Sequence, residues 1–407
     1  MSEKKKLSRK QLKRKRRRII IAVEVVALLF LLAGVFLVSK YNKLGTVEYK
    51  KEEVKKNEDL TDESSKDYTT IALYGLDSRS AGDLGEGNRS DCIMIASINN
   101  KTKAVRVASV FRDTYLYTAT TDDDELEYAK ASWAYSYGGP TEANSMLNIN
   151  LDLDVDDFVA VDFSAVANTI DLLGGIDVEI TESERNYING YAVETSQITG
   201  LDTPAIMETG LVHLDGLHAV SYARIRYDTN DKYSTDYKRT ERQRIVLEKM
   251  VEAAKSANLG TLNSIVDTVL PQVATSLSAT EILGLATNLT NFKVEATTGF
   301  PFEKKTKKVS GPGDCVIPLG LVENVEELHA FLYPDSQYSV SETVRKIDGE
   351  IVTATGYSRE DANVTEGVGA SEESNTASAN SATERETPAN TTSTEDTTSE
   401  GSTEGTN

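Results

Sequence analysis

Cysteine and histidine are scarce in this chain. Two Cys (Cys92 and Cys315) in 407 residues exclude a disulfide framework and a Cys-rich metal site. Three His (His213, His218 and His329) are too few for most imidazole-based zinc chemistry, which needs converging rings. There is no Ser-His-Asp pattern with a nucleophile elbow, no P-loop and no dinucleotide fingerprint. Positive charge is also scarce outside one stretch: 44 Lys+Arg face 64 Asp+Glu, a net of −20. Residues 1–18 hold eleven Lys or Arg and one acid, a net of +10, so the other 389 residues carry −30. Residues 356–407 hold two Arg and eleven acids. Three electrical regimes on one chain exclude a plain soluble cytoplasmic enzyme. The basic residues form a short terminal run, not a face of the folded part, which argues against a nucleic-acid partner.

What is present begins with Ile19–Val38, a run of 20 residues with one charge, Glu24. At about 1.5 Å per residue it spans roughly 30 Å, the thickness of a bilayer's hydrocarbon core. A cleavable signal peptide would have a shorter apolar region followed by small residues, whereas Val38-Ser39-Lys40-Tyr41 follows here. An uncleaved transmembrane helix over 19–38 is expected, with the basic tail 1–18 cytoplasmic and the remainder outside the cell. Residues 39–68, rich in Lys and Glu, read as a solvated spacer. Residues 356–407, rich in Ser, Thr and Glu, cannot bury enough apolar surface to fold and read as a disordered tail.

The stretch between reads as globular. Thr70–Tyr74, Cys92–Ile98, Ala104–Val110, Phe158–Phe163 and Ile176–Ile180 have strand character. Helices are expected over Ser164–Leu173, Thr240–Ala257, Ile282–Leu289 (after a Ser278–Glu281 capping box) and Val325–Leu332. Interleaved strands and helices predict a three-layer α/β/α domain with a central mixed sheet over 69–257, followed by a helical extension over 258–355.

Acids and arginines cluster at the ends of these elements. Asp77 and Arg79 follow the first strand, Arg89 and Asp91 precede the second, and Arg112 and Asp113 end the third. Arg224-Ile225-Arg226, if extended, points both guanidiniums to one face. Asp236, Arg239 and Gln243 fall on one helical stripe. Two carboxylates at neighbouring strand ends can share Mg²⁺, a hard cation that keeps waters and takes phosphate oxygens. Several Arg converging on one place repel one another unless an anion sits among them, and guanidinium forks match phosphate. Surface ion pairs and helix-face charges are the competing reading, and spacing alone does not show that these segments converge. The three His read as structural or surface residues. Trp133 reads as core or pocket wall in preference to a sugar platform, and Cys92 and Cys315 as a disulfide or as two free thiols.

These segments resemble the LytR–CpsA–Psr family of cell-wall ligases. The resemblance runs from about Thr69 to Ala257 and rests on Gly75-Leu76-Asp77-Ser78-Arg79, Arg89-Ser90-Asp91 and Ser109-Val110-Phe111-Arg112-Asp113-Thr114. It continues in Asp171-Leu172-Leu173-Gly174-Gly175-Ile176-Asp177-Val178, in Leu214 through Arg226 and in Asp236 through Gln243. Phe111 departs from the family's usual Pro and Cys92 from its usual Thr. The resemblance implies transfer of a glycopolymer from an undecaprenyl-pyrophosphate-type carrier to peptidoglycan through a phosphodiester bond. It implies that Asp77 and Asp91 hold Mg²⁺ and that Arg89 and Arg112 join them in catalysis. By the same match Arg79, Arg89, Arg112, Arg224, Arg226, Asp236, Arg239 and Gln243 bind the pyrophosphate. The expected partners are the lipid-linked glycopolymer, peptidoglycan and the membrane. The other readings are a membrane-bound envelope regulator, for which 18 cytoplasmic residues leave no room for a DNA-binding domain, and a non-catalytic lipid- or wall-binding module.

Overall fold

A computed structural model describes residues 44–45, 47–58, 64–78, 82–120, 126–226 and 236–363. The expected transmembrane helix, the basic tail, Arg79 and the stretch after 363 lie outside the described residues. Among the described residues, no helix is long and apolar enough to cross a membrane.

The chain runs β1 (Tyr68–Leu76), β2 (Ser90–Asn99), β3 (Ala104–Val110), β4 (Tyr115–Thr120), β5 (Leu126–Lys130), α1 (Ala131–Leu151), β6 (Asp157–Asp162) and α2 (Phe163–Leu173). Then come β7 (Ile176–Ile180), α3 (Glu182–Thr199), β8 (Gly210–Leu214), α4 (Gly216–Arg224), α5 (Asp236–Ser256) and α6 (Leu259–Val269). The last elements are β9 (Val273–Thr275), α7 (Ala279–Thr287), β10 (Lys293–Phe300), β11 (Lys304–Val309), β12 (Gly313–Pro318), α8 (Leu321–Leu332) and α9 (Glu342–Thr355). The central sheet has the order β10-β3-β2-β1-β6-β9. Its β10–β3 and β1–β6 pairs are parallel and the rest antiparallel, so the sheet is mixed as expected.

Alternation along β1 sorts the two faces. Ala72, Tyr74 and Leu76 join a core with α1, α8 and α9, including Tyr135, Leu147, Leu328 and Ile347. Ile71 and Leu73 point the other way, toward Leu277 and α7. On that second side β7, β8 and helices α2 to α5 share a further core around Ile170, Val178, Ile188 and Val246. Helices therefore cover both faces.

Local chemistry sets the element ends. Asp162 accepts the Ala165 N–H to start α2, and Gly174, at φ 93°, ends it. Thr181 and Glu184 form a capping box on α3, as do Ser278 and Glu281 on α7. Glu184 also accepts from Arg242 Nε at 2.9 Å, which pins α5 to the start of α3.

Two boundaries differ from expectation. Residues 258–355 are no separate helical extension: β9 and β10 form both edges of the central sheet. Neither the three residues of β9 nor the alternately exposed pattern of β10 carries an apolar run to announce it. Part of the expected spacer is also docked on the fold. Tyr49 packs its ring 4.8 Å from that of Phe158, and Asn57 donates to Asp152 at 2.6 Å, while the Lys and Glu around them face water.

Candidate active site

The β1–β2 register slips between Gly75 and Leu76. Gly75 permits the close approach, since a Cβ there would lie 2.9 Å from that of Cys92. A bulge at this point re-aims both strand ends. Asp77 and Asp91 lie just beyond and just inside these strand ends, with Asp77 N donating to Arg89 O at 3.2 Å.

Four arginines converge on the same place from three segments. Arg112, beyond the end of β3, donates to Asp91 Oδ1 at 2.5 Å, and Arg239, in the first turn of α5, lies 3.6 Å from Asp91 Oδ2. Asp113 gathers Lys130 at 3.1 Å, Arg112 at 3.5 Å and Arg226 at 3.7 Å. Burial raises the Asp113 pKa, but the charges of Arg112, Lys130 and Arg226 overcome it and hold the carboxyl below its ordinary value. Arg224 ends α4, pairs with Glu194 at 3.1 Å and lies over the Phe163 ring at 4.8 Å. Gly216 lets α4 approach α2, because a Cβ there would sit 2.0 Å from Ala167 O.

Arg112, Arg224, Arg226, Arg239, Gln243, Asp77 and Asp91 all line one cavity of about 530 Å³. Its other walls are apolar: Leu73 and Met94 from β1 and β2, Val159 and Val161 from β6, Val246, Leu247 and Met250 from α5, and Val269 and Val273 beyond. A pocket of this size, apolar with a few converging charged groups, has the usual make-up of a site for a ligand. Such a ligand would carry an anionic head and a long apolar body. Cys92 faces the same space, and burial pushes its thiol up to about 12, so it lines the wall as a neutral group. Cys92 and Cys315 are free thiols.

Asp77 and Asp91 are a donor pair that Mg²⁺ accepts when water and phosphate oxygens complete its shell. Among the described residues no group of three or more His, Cys, Asp or Glu could hold a metal.

The LytR_cpsA_psr family model matches residues 34–312. The chain belongs to the LytR_cpsA_psr family. It is 29% identical over 204 residues to the polyisoprenyl-teichoic acid–peptidoglycan teichoic acid transferase TagV of Bacillus subtilis, covering 49% of this chain and 48% of that protein. It is 27% identical over 227 residues to the transferase TagU of Enterococcus faecalis, which bears the same description, covering 55% of this chain and 66% of the relative. The matches thus span about half and just under two thirds of these relatives' lengths. The crystal structure of B. subtilis TagV shares the fold with a TM-score of 0.51 at 23% identity, covering 68% of this chain and 99% of that one.

Within this LytR_cpsA_psr chain the structure brings together most of the residues singled out from sequence. Arg89 is the exception: its guanidinium lies 5.3 Å from the centroid of the Trp133 ring and does not line the cavity. Its backbone is at the site, but its exposed side chain lies over Trp133. Arg79 and the Asp236 side chain lie outside the described residues. Arg224 and Arg226 do face one cavity, though Arg224 is the last helical residue of α4 and the extended backbone begins at Ile225. The expected crowding of like charges is also corrected, because Asp91, Asp113 and Glu194 answer the four cations. None of the three His lines the cavity.

Sequence reasoning did not single out Asp113, Lys130 and Glu194 as site residues. Asp113 adjoins Arg112 in a motif already noted, so its position was a usable signal. Nothing local distinguishes Lys130 or Glu194, which arrive by tertiary contact.

Proposed function

We propose that the chain transfers a glycopolymer from a polyprenyl-pyrophosphate carrier to a peptidoglycan hydroxyl. The amphipathic cavity, cationic at one end and apolar along the rest, carries this reading. The names of the relatives, polyisoprenyl-teichoic acid–peptidoglycan teichoic acid transferases, support the substrate class. The apolar run at 19–38 supports a membrane anchor that keeps the cavity near such a lipid, on the outer side of the membrane.

The walls of β1, β2, β6, α5 and α6 hold the prenyl chain by excluding water from it. Arg112, Arg226 and Arg239 bind the pyrophosphate oxygens and Arg224 the flank, with Gln243 donating its amide. The acceptor hydroxyl oxygen bonds to the sugar-side phosphorus. The bond from that phosphorus to the bridging oxygen breaks, and polyprenyl phosphate leaves with the electron pair. The hydroxyl proton passes to solvent at the open mouth. Charge spreads onto the phosphoryl oxygens as this happens, so preorganised cations there lower the barrier. Asp77 and Asp91 would hold Mg²⁺, which supplies further charge neutralisation when bound. Asp91 also keeps Arg112 and Arg239 in register.

Reconstitution with a defined lipid-linked donor and uncrosslinked peptidoglycan tests this reading. Phosphodiester-linked polymer and released polyprenyl phosphate are expected. Binding without turnover would make the chain a lipid-binding module instead.

A further inference from the structure

A group of side chains stands beside the cavity without lining it. Arg89 is exposed and covers Trp133. Trp133 is half-buried and meets Tyr137 edge to face, with centroids 6.2 Å apart at 88°. Tyr137 is 41% exposed, and its hydroxyl donates to Glu127 Oε1 at 2.8 Å. The four residues come from the loop before β2, from β5 and from the first turns of α1. Helix α1 breaks at Gly138 and Gly139, directly after Tyr137, so the ring projects at a fixed corner.

Backbone bonds fasten this group to the reaction centre from two sides. Arg89 O accepts from Asp77 N at 3.2 Å, and Arg89 is two residues from Asp91. Ser132, next to Trp133, donates its N–H to Arg112 O at 3.0 Å, and Lys130 reaches Asp113 at 3.1 Å. The group therefore flanks the mouth where the donor's phosphates would lie. Of the two rings, Tyr137 is the exposed one, while Trp133 is half-buried beneath Arg89.

We infer that Trp133, Tyr137, Glu127 and Arg89 form a subsite for the sugar next to the reacting phosphate. A pyranose has an apolar C–H face and a rim of hydroxyls. The face of the exposed Tyr137 ring takes the C–H face. The Glu127 carboxylate accepts from a hydroxyl, and the Arg89 guanidinium donates to a hydroxyl or carboxylate oxygen. It takes the sugar-platform reading of Trp133 in place of the core or pocket-wall one. It rests on the proposed transfer reaction and names what that reaction's site recognises. The sugar belongs either to the lipid-linked donor or to the acceptor strand, and the chemistry of the two is shared.

Trp133 is the chain's single tryptophan, so its emission reports this group alone. The full-length protein is titrated with three probes: soluble glycan-strand oligosaccharides of N-acetylglucosamine and N-acetylmuramic acid, a polyprenyl-pyrophosphate-linked disaccharide, and polyprenyl pyrophosphate with no sugar. A saturable emission change is expected with a sugar-bearing probe and none with the sugarless lipid. Response to the oligosaccharides assigns the sugar to the acceptor; response to the lipid-linked disaccharide assigns it to the donor. Tyr137→Ala and Glu127→Gln should each raise the Kd for the responding probe about tenfold. Both should leave the sugarless lipid's Kd at the wild-type value. Glu127→Gln is isosteric and keeps the test open if melting curves show Tyr137→Ala to be unfolded. Silence with both sugar-bearing probes, an equal response to the sugarless lipid, or wild-type Kd values in folded variants would overturn the subsite. Transfer without an emission response refutes the subsite alone. An emission response without transfer refutes the proposed function and leaves the subsite standing.

Discussion

Replacing Asp113 by Asn removes one negative charge and preserves the side-chain shape. Three cations lose this carboxylate: Lys130 at 3.1 Å, Arg112 at 3.5 Å, which keeps Asp91, and Arg226 at 3.7 Å. At about 4 Å and an effective dielectric near 20, each pair is worth about 4 kcal/mol before desolvation. Deleting one partner of a buried pair costs about 3–5 kcal/mol. The Arg226 side chain is 33% exposed and its share is screened, so a loss of about 3 kcal/mol is expected from urea unfolding. Turnover should fall further, by about 100-fold, because Arg112 and Arg226 no longer converge on the phosphates. Polyprenyl pyrophosphate should raise the melting temperature of Asp113→Asn more than that of the wild type, since its anion supplies the missing charge. The pH dependence has a definite sign. Asp113 has a depressed pKa, so its stabilisation is present above about pH 4 and is lost as pH falls through the folded value. The variant should lack that acid-side loss. A variant that unfolds and turns over like the wild type would refute the claim that Asp113 organises the cluster.

Gly216→Ala places a methyl against Ala167 O and should destabilise by about 2–4 kcal/mol in denaturant unfolding, with α4 and Arg224 displaced. Val159→Phe should fill the apolar wall, abolishing binding of long polyprenyl pyrophosphates while inorganic pyrophosphate still protects the protein from melting. Both ring nitrogens of His213 face acceptors, Asp177 Oδ1 at 2.7 Å and Gly174 O at 2.8 Å, so the protonated ring fits best and its pKa is raised. Its small, solvent-screened contribution should be complete below about pH 6.5 and lost as pH rises through the folded pKa, which a melting series of His213→Gln against wild type would show. Asp91→Asn should cut Mg²⁺-stimulated transfer by at least about tenfold, beyond any loss of stability, as measured by transfer rates across a Mg²⁺ titration.

Strands β1, β2, β3 and β6 and helices α2, α5, α7 and α8 were legible because apolar periodicity and end signals mark them, among them Gly174 and the Ser278–Glu281 box, whereas helices α1, α3, α6 and α9 were not anticipated. Strands β9 and β10 were not legible. They are edge strands whose register comes from β6 and β3, so their own residues need little apolar pattern. The acids and arginines were visible as strand-end residues. Their pairing was not, because Asp113 meets Lys130 and Arg226 only through the fold. The cavity was hidden for a similar reason. Val246, Leu247 and Met250 form a stripe on α5 that looks the same whether it faces a core or a ligand. Arg89 was placed by its motif, yet the side chain turned to Trp133, a residue 44 positions away.

The cavity's assignment as a lipid-pyrophosphate site is tested most directly by one binding measurement. Full-length wild type and Arg112→Ala, Arg226→Ala and Arg239→Ala variants are titrated with polyprenyl pyrophosphate and with the corresponding polyprenyl alcohol. The pyrophosphate should bind the wild type at least about tenfold more tightly than the alcohol, and each arginine substitution should erase most of that difference while the alcohol's affinity stays unchanged. Equal affinity of the wild type for the two lipids, or full pyrophosphate preference in all three variants, would contradict it.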